Sequence, residues 1–226
     1  MSLVIAIDGP SGSGKSTLSR RLAEHYGLAY LDTGSTYRAA TIWAVRQGID
    51  LDDQAAVAAA TRAMPLVVLT DPQNSRYLLA GEDVTDELHT GEVSSVVTKV
   101  AVNLEVRAEL KRLQREIIES SRQSGGVVAE GRDVTSVVAP DADVRILLIA
   151  SPEERLARRS VDRHGTADAA SMEATKHEVH DRDASDSTVS QFMEAPDGVV
   201  TLDNSAMVPD ESFAAGVAIV ERALRG

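Results

Sequence analysis

A glycine-rich segment at residues 9–16, G-P-S-G-S-G-K-S, constrains this chain more than any other feature of its sequence. It directly follows the apolar run LVIAID at 3–8, which is typical of a buried strand, and a helical pattern begins near Lys15. Ordering glycine costs more entropy than ordering any other residue, so such a turn indicates a ligand or a strained backbone. The segment satisfies G-x-x-x-x-G-K-[ST] at every fixed position, which predicts a phosphate-binding loop (P-loop).

Each part of this loop has a predicted contact. Successive backbone N–H groups would wrap a phosphate, Lys15 would reach the β and γ oxygens of a nucleoside triphosphate, and the Ser16 hydroxyl would ligate Mg²⁺. The predicted nucleotide-binding residues of the loop are Gly9, Pro10, Ser11, Gly12, Ser13, Gly14, Lys15, Ser16 and Thr17. The alternative is a glycine- and serine-rich turn with a chance lysine. The strand pattern before the segment and the helix pattern after it disfavour that alternative.

The composition limits the partners of such a loop. The 226 residues include 23 Lys and Arg against 35 Asp and Glu, a formal net charge of −12, and 43% are hydrophobic. This excess of acid argues against broad binding to nucleic acid or to an anionic membrane. Cysteine is absent, which excludes disulfides and thiolate metal sites, and no apolar run approaches a membrane span. We expect a soluble, cytoplasmic, monomeric protein that binds anions through local arginine clusters.

Strand-like and helical segments alternate along the chain. Strands are predicted at 3–8, 126–130, 144–150 and 198–203, and helices at 15–26, 35–47, 103–123, 152–163 and 210–225. The strand segments are apolar on both alternating faces, which favours an α/β fold with a parallel sheet flanked by helices. Two segments interrupt the alternation. Residues 65–84 hold two turn signals, DPQNS and AGED, and predict a small antiparallel insertion, whereas the polar residues 164–190 predict a mobile lid.

A P-loop leaves three classes of protein open: a small-molecule kinase, a switch GTPase, and a motor or transporter ATPase. A GTPase needs a guanine-reading sequence such as N-K-x-D, which is absent. Motor ATPases usually carry an acidic residue after a strongly apolar strand, and the segment VRILLIAS at 144–151 ends without one. A kinase is therefore favoured. The rival hypothesis is a nucleotide-dependent binding or switch protein whose lid reports ATP occupancy.

Four further segments occur in an order that makes a family resemblance specific. They are LDTGSTYR at 31–38, VVAEGRDV at 127–134, EERLARR at 153–159 and RDASDS at 182–187. Together with the P-loop they resemble the bacterial cytidylate kinases over essentially the whole chain. The resemblance implies a nucleoside monophosphate kinase that transfers the γ-phosphoryl group of Mg·ATP to CMP, and by extension to dCMP.

The resemblance also implies a division of the chain into three parts. The implied parts are a P-loop core of residues 1–32, 106–151 and 190–226, a nucleoside-monophosphate-binding domain of residues 33–105 that contains the antiparallel insertion, and a lid of residues 152–189.

The chemistry of this transfer favours arginines over acid–base residues. A phosphate monoester has a second pKa of about 6, so it is mostly a dianion at neutral pH and attacks without a general base. Catalysis then depends on cations that hold two anions together and neutralise the spreading charge. The residues assigned to catalysis on this basis are Lys15, Arg132, Arg155 and Arg159.

By the same resemblance, the remaining assignments concern the two nucleotides. The acceptor phosphate would be held by Thr33, Arg38 and Arg132, and the ATP phosphates would be contacted by Arg155, Arg158 and Arg159. The cytosine base would be recognised by Thr98, Arg107 and Asp133. The sugar would be contacted by Arg182 and Asp186. Two alternatives stay open: the arginines at 155–159 could pair with Glu153, Glu154 and Asp162, and Asp133 could merely buttress Arg132. Glu130 has no assigned role, and Val189 stands where many relatives carry another arginine.

Overall fold

The apolar run at 3–8 forms the central strand of a parallel sheet. The computed structural model describes residues 2–168, 170–173, 175 and 194–225. In this part of the chain the strands are β1 (Leu3–Asp8), β2 (Ala29–Asp32), β3 (Leu66–Leu69), β4 (Arg76–Leu79), β5 (Glu82–Asp83), β6 (Gly126–Gly131), β7 (Val144–Ile149) and β8 (Val200–Asp203). The parallel sheet has the order β2-β6-β1-β7-β8, and β3, β4 and β5 form a separate antiparallel sheet.

Helices cover both faces of the parallel sheet. They are α1 (Lys15–Tyr26), α2 (Thr33–Arg46), α3 (Gln54–Arg62), α4 (Gly91–Ala101), α5 (Leu104–Gln123), α6 (Pro152–His164) and α7 (Pro209–Arg225), with a 3₁₀ turn at Glu87–His89 and a π-helical turn at Val134–Val138. The predicted α/β fold is confirmed. Within the described residues, no helix combines the length and the apolar character needed to cross a membrane.

The two faces of β1 pack against different helices. Ile5 and Ile7 are buried in one core cluster with Leu22 of α1, and Ala6 is buried in a second cluster with Ile118 of α5. Both faces of the strand therefore exclude water, which explains why its sequence is apolar at consecutive positions. A fully buried isoleucine stabilises the fold by about 1.5–3 kcal/mol, so this strand anchors the sheet.

This topology collects the predicted site residues at one edge of the sheet. Strands β1, β2, β6 and β7 run parallel, so their carboxyl ends lie side by side. The P-loop, the start of α2, residues 132–133 and the start of α6 follow those four ends. Ligands of open α/β sheets bind at this edge.

The insertion at 65–84 forms the predicted antiparallel sheet. Strands β3 and β4 pair with Val68 opposite Tyr77, and the two turn signals fall in the β3–β4 and β4–β5 connections. Tyr77 and Leu79 are buried in a cluster with Ile42 of α2. The insertion is therefore packed on the helix that follows β2.

Strand β2 and helices α3 and α4 are not among the elements predicted from sequence. Strand β2 has four residues, too few to display a period. Helix α4, GEVSSVVTKVA, is rich in β-branched residues, which have low helix propensity. Its buried residues Val93, Val97 and Val100 follow helical spacing, so packing against the core outweighs propensity here.

The lid predicted at 152–189 is described only in part. Its first residues form α6 and the turn at Gly165 that ends it. Residues 176–189 lie outside the described residues, and with them Arg182, Asp186 and Val189.

Candidate active site

The P-loop is wedged between the end of β7 and the first turns of α6. A Cβ atom at Gly9 would lie 2.1 Å from the carbonyl oxygen of Leu148, and one at Gly12 would lie 2.4 Å from the carbonyl oxygen of Arg155. Gly12 also has φ +75°, a left-handed conformation that glycine adopts without strain. Glycine is therefore required at these positions by the protein's own packing, in addition to any ligand.

No side chain caps the N-terminus of α1, which lies at the end of this loop. Helix α1 begins at Lys15, and its N-cap Gly14 provides no side chain to cap the first amides. Lys15 Nζ donates a hydrogen bond of 2.9 Å to the carbonyl oxygen of Pro10, which folds the side chain back over the loop. Uncapped amides, the helix dipole and an ammonium group together favour a bound anion.

Two cavities flank the loop. The first, of about 270 Å³, is polar and is lined by Ser11, Gly12, Gly14, Lys15, Ser16, Thr17, Asp32, Thr33, Gly34, Tyr37, Arg38, His89, Val97, Thr98, Ala101, Arg107, Glu130, Gly131, Arg132, Asp133 and Arg159. The second, of about 420 Å³, is lined by Gly12, Gly14, Thr17, Leu18, Ala157, Arg158, Val161, Asn204, Met207, Pro209 and Ser212. Because both include Gly12, Gly14 and Thr17, the loop forms a shared wall.

The arginines of α6 reach the P-loop. Arg155 is buried, and its Nη1 donates a hydrogen bond of 3.1 Å to the carbonyl oxygen of Ser11. Arg158 Nη1 donates to the carbonyl oxygen of Ser13 at 3.4 Å and to the side chain of Asn204 at 3.0 Å. The alternative pairing of Arg158 with Glu154 is present only as a long contact of 3.8 Å. Helix α6 is thus attached to the loop by hydrogen bonds from its arginine side chains to backbone carbonyl groups.

Arg38 lines the first cavity and is held by three elements. This side chain is buried, and its Nη1 donates to the carbonyl oxygen of Leu88 at 2.8 Å and to the hydroxyl of Ser94 at 2.9 Å. These bonds tie α2 to the 3₁₀ turn and to α4, so three elements fix one guanidinium group. The Thr33 hydroxyl donates a hydrogen bond of 2.7 Å to the carbonyl oxygen of Glu130.

Arg107 and Asp133 form a salt bridge at the far end of this cavity. Arg107 Nη1 also donates a hydrogen bond of 3.2 Å to the carbonyl oxygen of Ala101, which fixes the guanidinium group at the end of α4. Asp133 thus supports Arg107. A neutralised pair of this kind suits a polar, uncharged ligand group better than a phosphate.

Glu130 has no role predicted from the sequence. Its side chain is buried at the end of β6 and accepts a hydrogen bond from the Tyr30 hydroxyl, and it lines the first cavity together with Ser16. Burial, reinforced by the negative charge of Asp32, raises the pKa of Glu130 to about 7, although nearby Lys15 acts in the opposite direction. A carboxylate therefore lies directly behind the P-loop serine.

Comparison with known proteins decides the family. A family model described as cytidylate kinase matches residues 5–222. The chain belongs to the cytidylate kinase family. It is 41% identical over 221 residues to a cytidylate kinase of Streptomyces avermitilis, covering 97% of this chain and 93% of the relative. It is 44% identical over 213 residues to a cytidylate kinase of Nocardia farcinica, covering 92% and 89%.

Membership confirms the predicted enzyme class, a nucleoside monophosphate kinase, and the predicted activity, phosphoryl transfer from ATP to CMP. A solved structure of an uncharacterised Eubacterium ventriosum protein matches with a TM-score of 0.51, covering 97% of this chain and 99% of that one. At 12% identity it shows the fold alone.

The structure of this cytidylate kinase family member brings most predicted residues together. Lys15, Ser16, Thr33, Arg38, Thr98, Arg107, Arg132, Asp133 and Arg159 all line the first cavity. Arg158 lines the second cavity, and Arg155 lies buried beneath the loop. Glu130 was missed, although the sequence holds a signal for it: the apolar strand GVVAEG carries an acidic residue at its end.

We expect Gly12→Ala to abolish most activity. The new methyl group would clash with the backbone of Arg155 and strain a left-handed residue, so the loop or α6 must move. Steady-state kinetics should show a loss in kcat/KM of roughly 100-fold or more, which is about 2.7 kcal/mol.

Gly27→Ala is the matched control for this variant. Gly27 also has a positive φ, +64°, but a Cβ atom there meets nothing within 4 Å. This control should lower thermal stability while leaving kcat/KM near wild type. Equal activity losses in both variants would contradict the steric role of Gly12.

We also expect the stability of the ligand- and metal-free protein to depend on Glu130. Its folded pKa of about 7 lies above the ordinary value of 4.5. The folded state therefore holds a proton that the unfolded state has lost, so stability falls as pH rises between these two values. Glu130→Gln removes this cost, and its stability advantage over wild type should grow from pH 5 to pH 8 by a few kcal/mol, because one pKa unit equals about 1.4 kcal/mol.

Urea unfolding at both pH values measures this difference. The control is Asp203→Asn, because hydrogen bonds from Ser205 lower the pKa of Asp203 and the carboxylate stays ionised across this range. A pH-independent effect of Glu130→Gln would contradict the assignment.

Proposed function

We propose that this kinase transfers the γ-phosphoryl group of Mg·ATP to CMP and dCMP in line, at the junction of the two cavities. One observation supports this proposal most: the P-loop forms the wall that a polar, cation-lined cavity shares with an apolar one. A donor in one cavity and an acceptor in the other would meet at Gly12, Gly14 and Thr17. Holding both reactants at such a junction replaces a bimolecular encounter with an oriented reaction.

The second cavity is suited to the adenine of ATP. Leu18, Ala157, Val161 and Met207 supply apolar walls, as expected for a purine base. The triphosphate would then cross the amides of the loop and the Lys15 ammonium group. Arg159, which lines the first cavity, would contact the transferring group from the side of α6.

The residues beside the loop fit a magnesium ion. Within the described residues, no group of three or more His, Asp and Glu side chains is placed to hold a metal. Mg²⁺ is usually held by one or two protein oxygens together with phosphates and water. The Ser16 hydroxyl would be such a ligand, and the side chains of Asp32 and Glu130 line the same cavity. When bound, the ion supplies neutralisation of charge on the β- and γ-phosphates.

The first cavity is suited to the acceptor nucleotide. Arg38 and Arg132 would bind the acceptor phosphate, because a guanidinium group can contact two phosphate oxygens at once. The attacking oxygen already carries negative charge near neutral pH, so these residues orient it rather than deprotonate it. Thr98, with the Arg107–Asp133 pair, would contact the cytosine base.

The proposal also covers the sugar contacts, the division into domains, the oligomeric state and the location of the protein. Arg182 and Asp186 would contact the sugar, although both lie outside the described residues. The division into core, monophosphate-binding domain and lid, with closure over both nucleotides, stays a prediction. So do the monomeric state and the cytoplasmic location.

Asp133→Asn should remove discrimination between CMP and UMP. A carboxylate accepts a hydrogen bond from the exocyclic amine of cytosine but faces a carbonyl oxygen in uracil, and loss of a hydrogen bond to a charged group costs about 1–3 kcal/mol. Wild type should therefore favour CMP by roughly 10- to 100-fold in kcat/KM, and the ratio should approach unity in the variant, mostly through loss on CMP. A coupled assay of ADP formation on each monophosphate measures both.

Asp141→Asn is the control, since Asp141 pairs with Arg122 on the surface at 3.0 Å. Equal losses on CMP and UMP in Asp133→Asn would mean that Asp133 only supports Arg107. Nucleotide binding without turnover on any acceptor would instead favour the rival switch protein.

A further inference from the structure

The β3–β4 turn of the antiparallel insertion is fastened to the back of the P-loop helix. Arg20, on α1, donates hydrogen bonds from Nη1 to the carbonyl oxygen of Pro72 at 3.1 Å and to the Ser75 hydroxyl at 3.0 Å. Beside it, the Tyr30 amide donates 2.8 Å to the carbonyl oxygen of Thr70. The turn therefore contacts α1 and β2, the elements on either side of residues 27–28.

The same two side chains continue inward to the active site. The Arg20 guanidinium carbon lies 4.3 Å from the centre of the Tyr30 ring, a cation–π contact. Tyr30 is 1% exposed, and its hydroxyl donates to the buried carboxylate of Glu130. Glu130 and Ser16 line the same cavity, and the Ser16 side chain favours the charged form of Glu130. A line of contacts thus joins the turn to Glu130, which shares a cavity with the P-loop serine.

This line has a chemical consequence at Ser16. A hydroxyl group that offers its oxygen to a cation must direct its proton to another acceptor, and Glu130 is such an acceptor. The orientation of the carboxylate then decides the orientation of the serine oxygen.

We propose that Tyr30 and Arg20 are positioning residues, which hold the Glu130 carboxylate against Ser16 so that docking of the β3–β4 turn sets the geometry of the P-loop serine. This inference rests on the proposed function of Ser16 as the magnesium ligand. The antiparallel insertion would then act on the P-loop as well as on the acceptor nucleotide. A hairpin that only stabilised the fold would not require a line of contacts ending at Glu130.

Tyr30→Phe tests the first link, since it keeps the ring and its contact with Arg20 and removes one hydroxyl. We expect kcat to fall about 10-fold with KM for CMP within about 2-fold of wild type, because the acceptor side is untouched. Calorimetry with a non-hydrolysable ATP analogue supplies a second measurement. Binding without Mg²⁺ should match wild type, whereas the gain in affinity on adding Mg²⁺ should shrink several-fold.

Arg20→Met tests the second link through a double-mutant cycle. Both residues act through Glu130, so the double variant should lose no more kcat than Tyr30→Phe alone. The control is Arg21→Met on the same helix, because Arg21 lies 4.3 Å over the Phe213 ring and pairs with Asp210 at 2.8 Å. This control should lower stability and leave kcat at saturating substrate and the Mg²⁺ gain unchanged.

Three outcomes would overturn the inference: a lower melting temperature of Tyr30→Phe with unchanged kcat and Mg²⁺ gain, additive losses in the double variant, or an equal loss in Arg21→Met. Failure of the proposed function looks different. Wild type would then show no CMP-dependent ADP formation, and the Mg²⁺ gain in analogue affinity would decide the positioning role by itself.

Discussion

The close contact of the P-loop with β7 and α6 is the constraint on which the rest of the site depends. Backbone carbonyl groups of Leu148 and Arg155 approach the loop so closely that only glycine fits at Gly9 and Gly12. The loop conformation is thereby set by the sheet and by α6 before any nucleotide binds. Because α6 also carries Arg158, one packing contact fixes the loop and a cationic side chain that lines the neighbouring cavity. Such preorganisation lowers the cost of arranging charge around a transferring group.

Buried hydrogen bonds also fix the segment that follows β6 in the wall of the first cavity. Asp8 ends β1, and its carboxylate accepts from the amides of Val134 and Thr135 at 2.8 and 2.7 Å and from the Thr135 hydroxyl at 2.7 Å. These bonds fix the π-helical turn that follows Arg132 and Asp133. Burial raises the pKa of Asp8, while the three donors favour its charged form. The strand that precedes the P-loop thus also positions the segment proposed to bind the acceptor.

Local sequence signals predict the parts of this molecule that depend on local physics. The P-loop motif and the limits of α1 follow from glycine content and helical spacing, and the insertion follows from its two turn signals. Strand β2 and helices α3 and α4 depend on tertiary packing, which short or β-branched segments do not reveal. Glu130 was missed because an acidic residue was expected at the end of β7, although β6 and β7 both lie beside β1 and either strand end could carry it. The backbone carbonyl partners of the arginines cannot be predicted from sequence, because every residue carries the same carbonyl group.

Those carbonyl partners explain how an acidic protein can present a cationic site. The chain has a net charge of −12, and its anionic substrates must approach against that field. Arg38, Arg155 and Arg158 are oriented by bonds to backbone carbonyl groups, and a neutral dipole fixes a guanidinium group without cancelling its charge. Arg107 differs, because the Asp133 carboxylate neutralises it. Arginines that donate to backbone carbonyl groups thus lie where phosphates are proposed to bind, and the Arg107–Asp133 pair lies where an uncharged base is proposed. Within the first cavity, backbone carbonyl oxygen therefore orients the arginine proposed to bind phosphate, and a carboxylate orients the arginine proposed to contact the base.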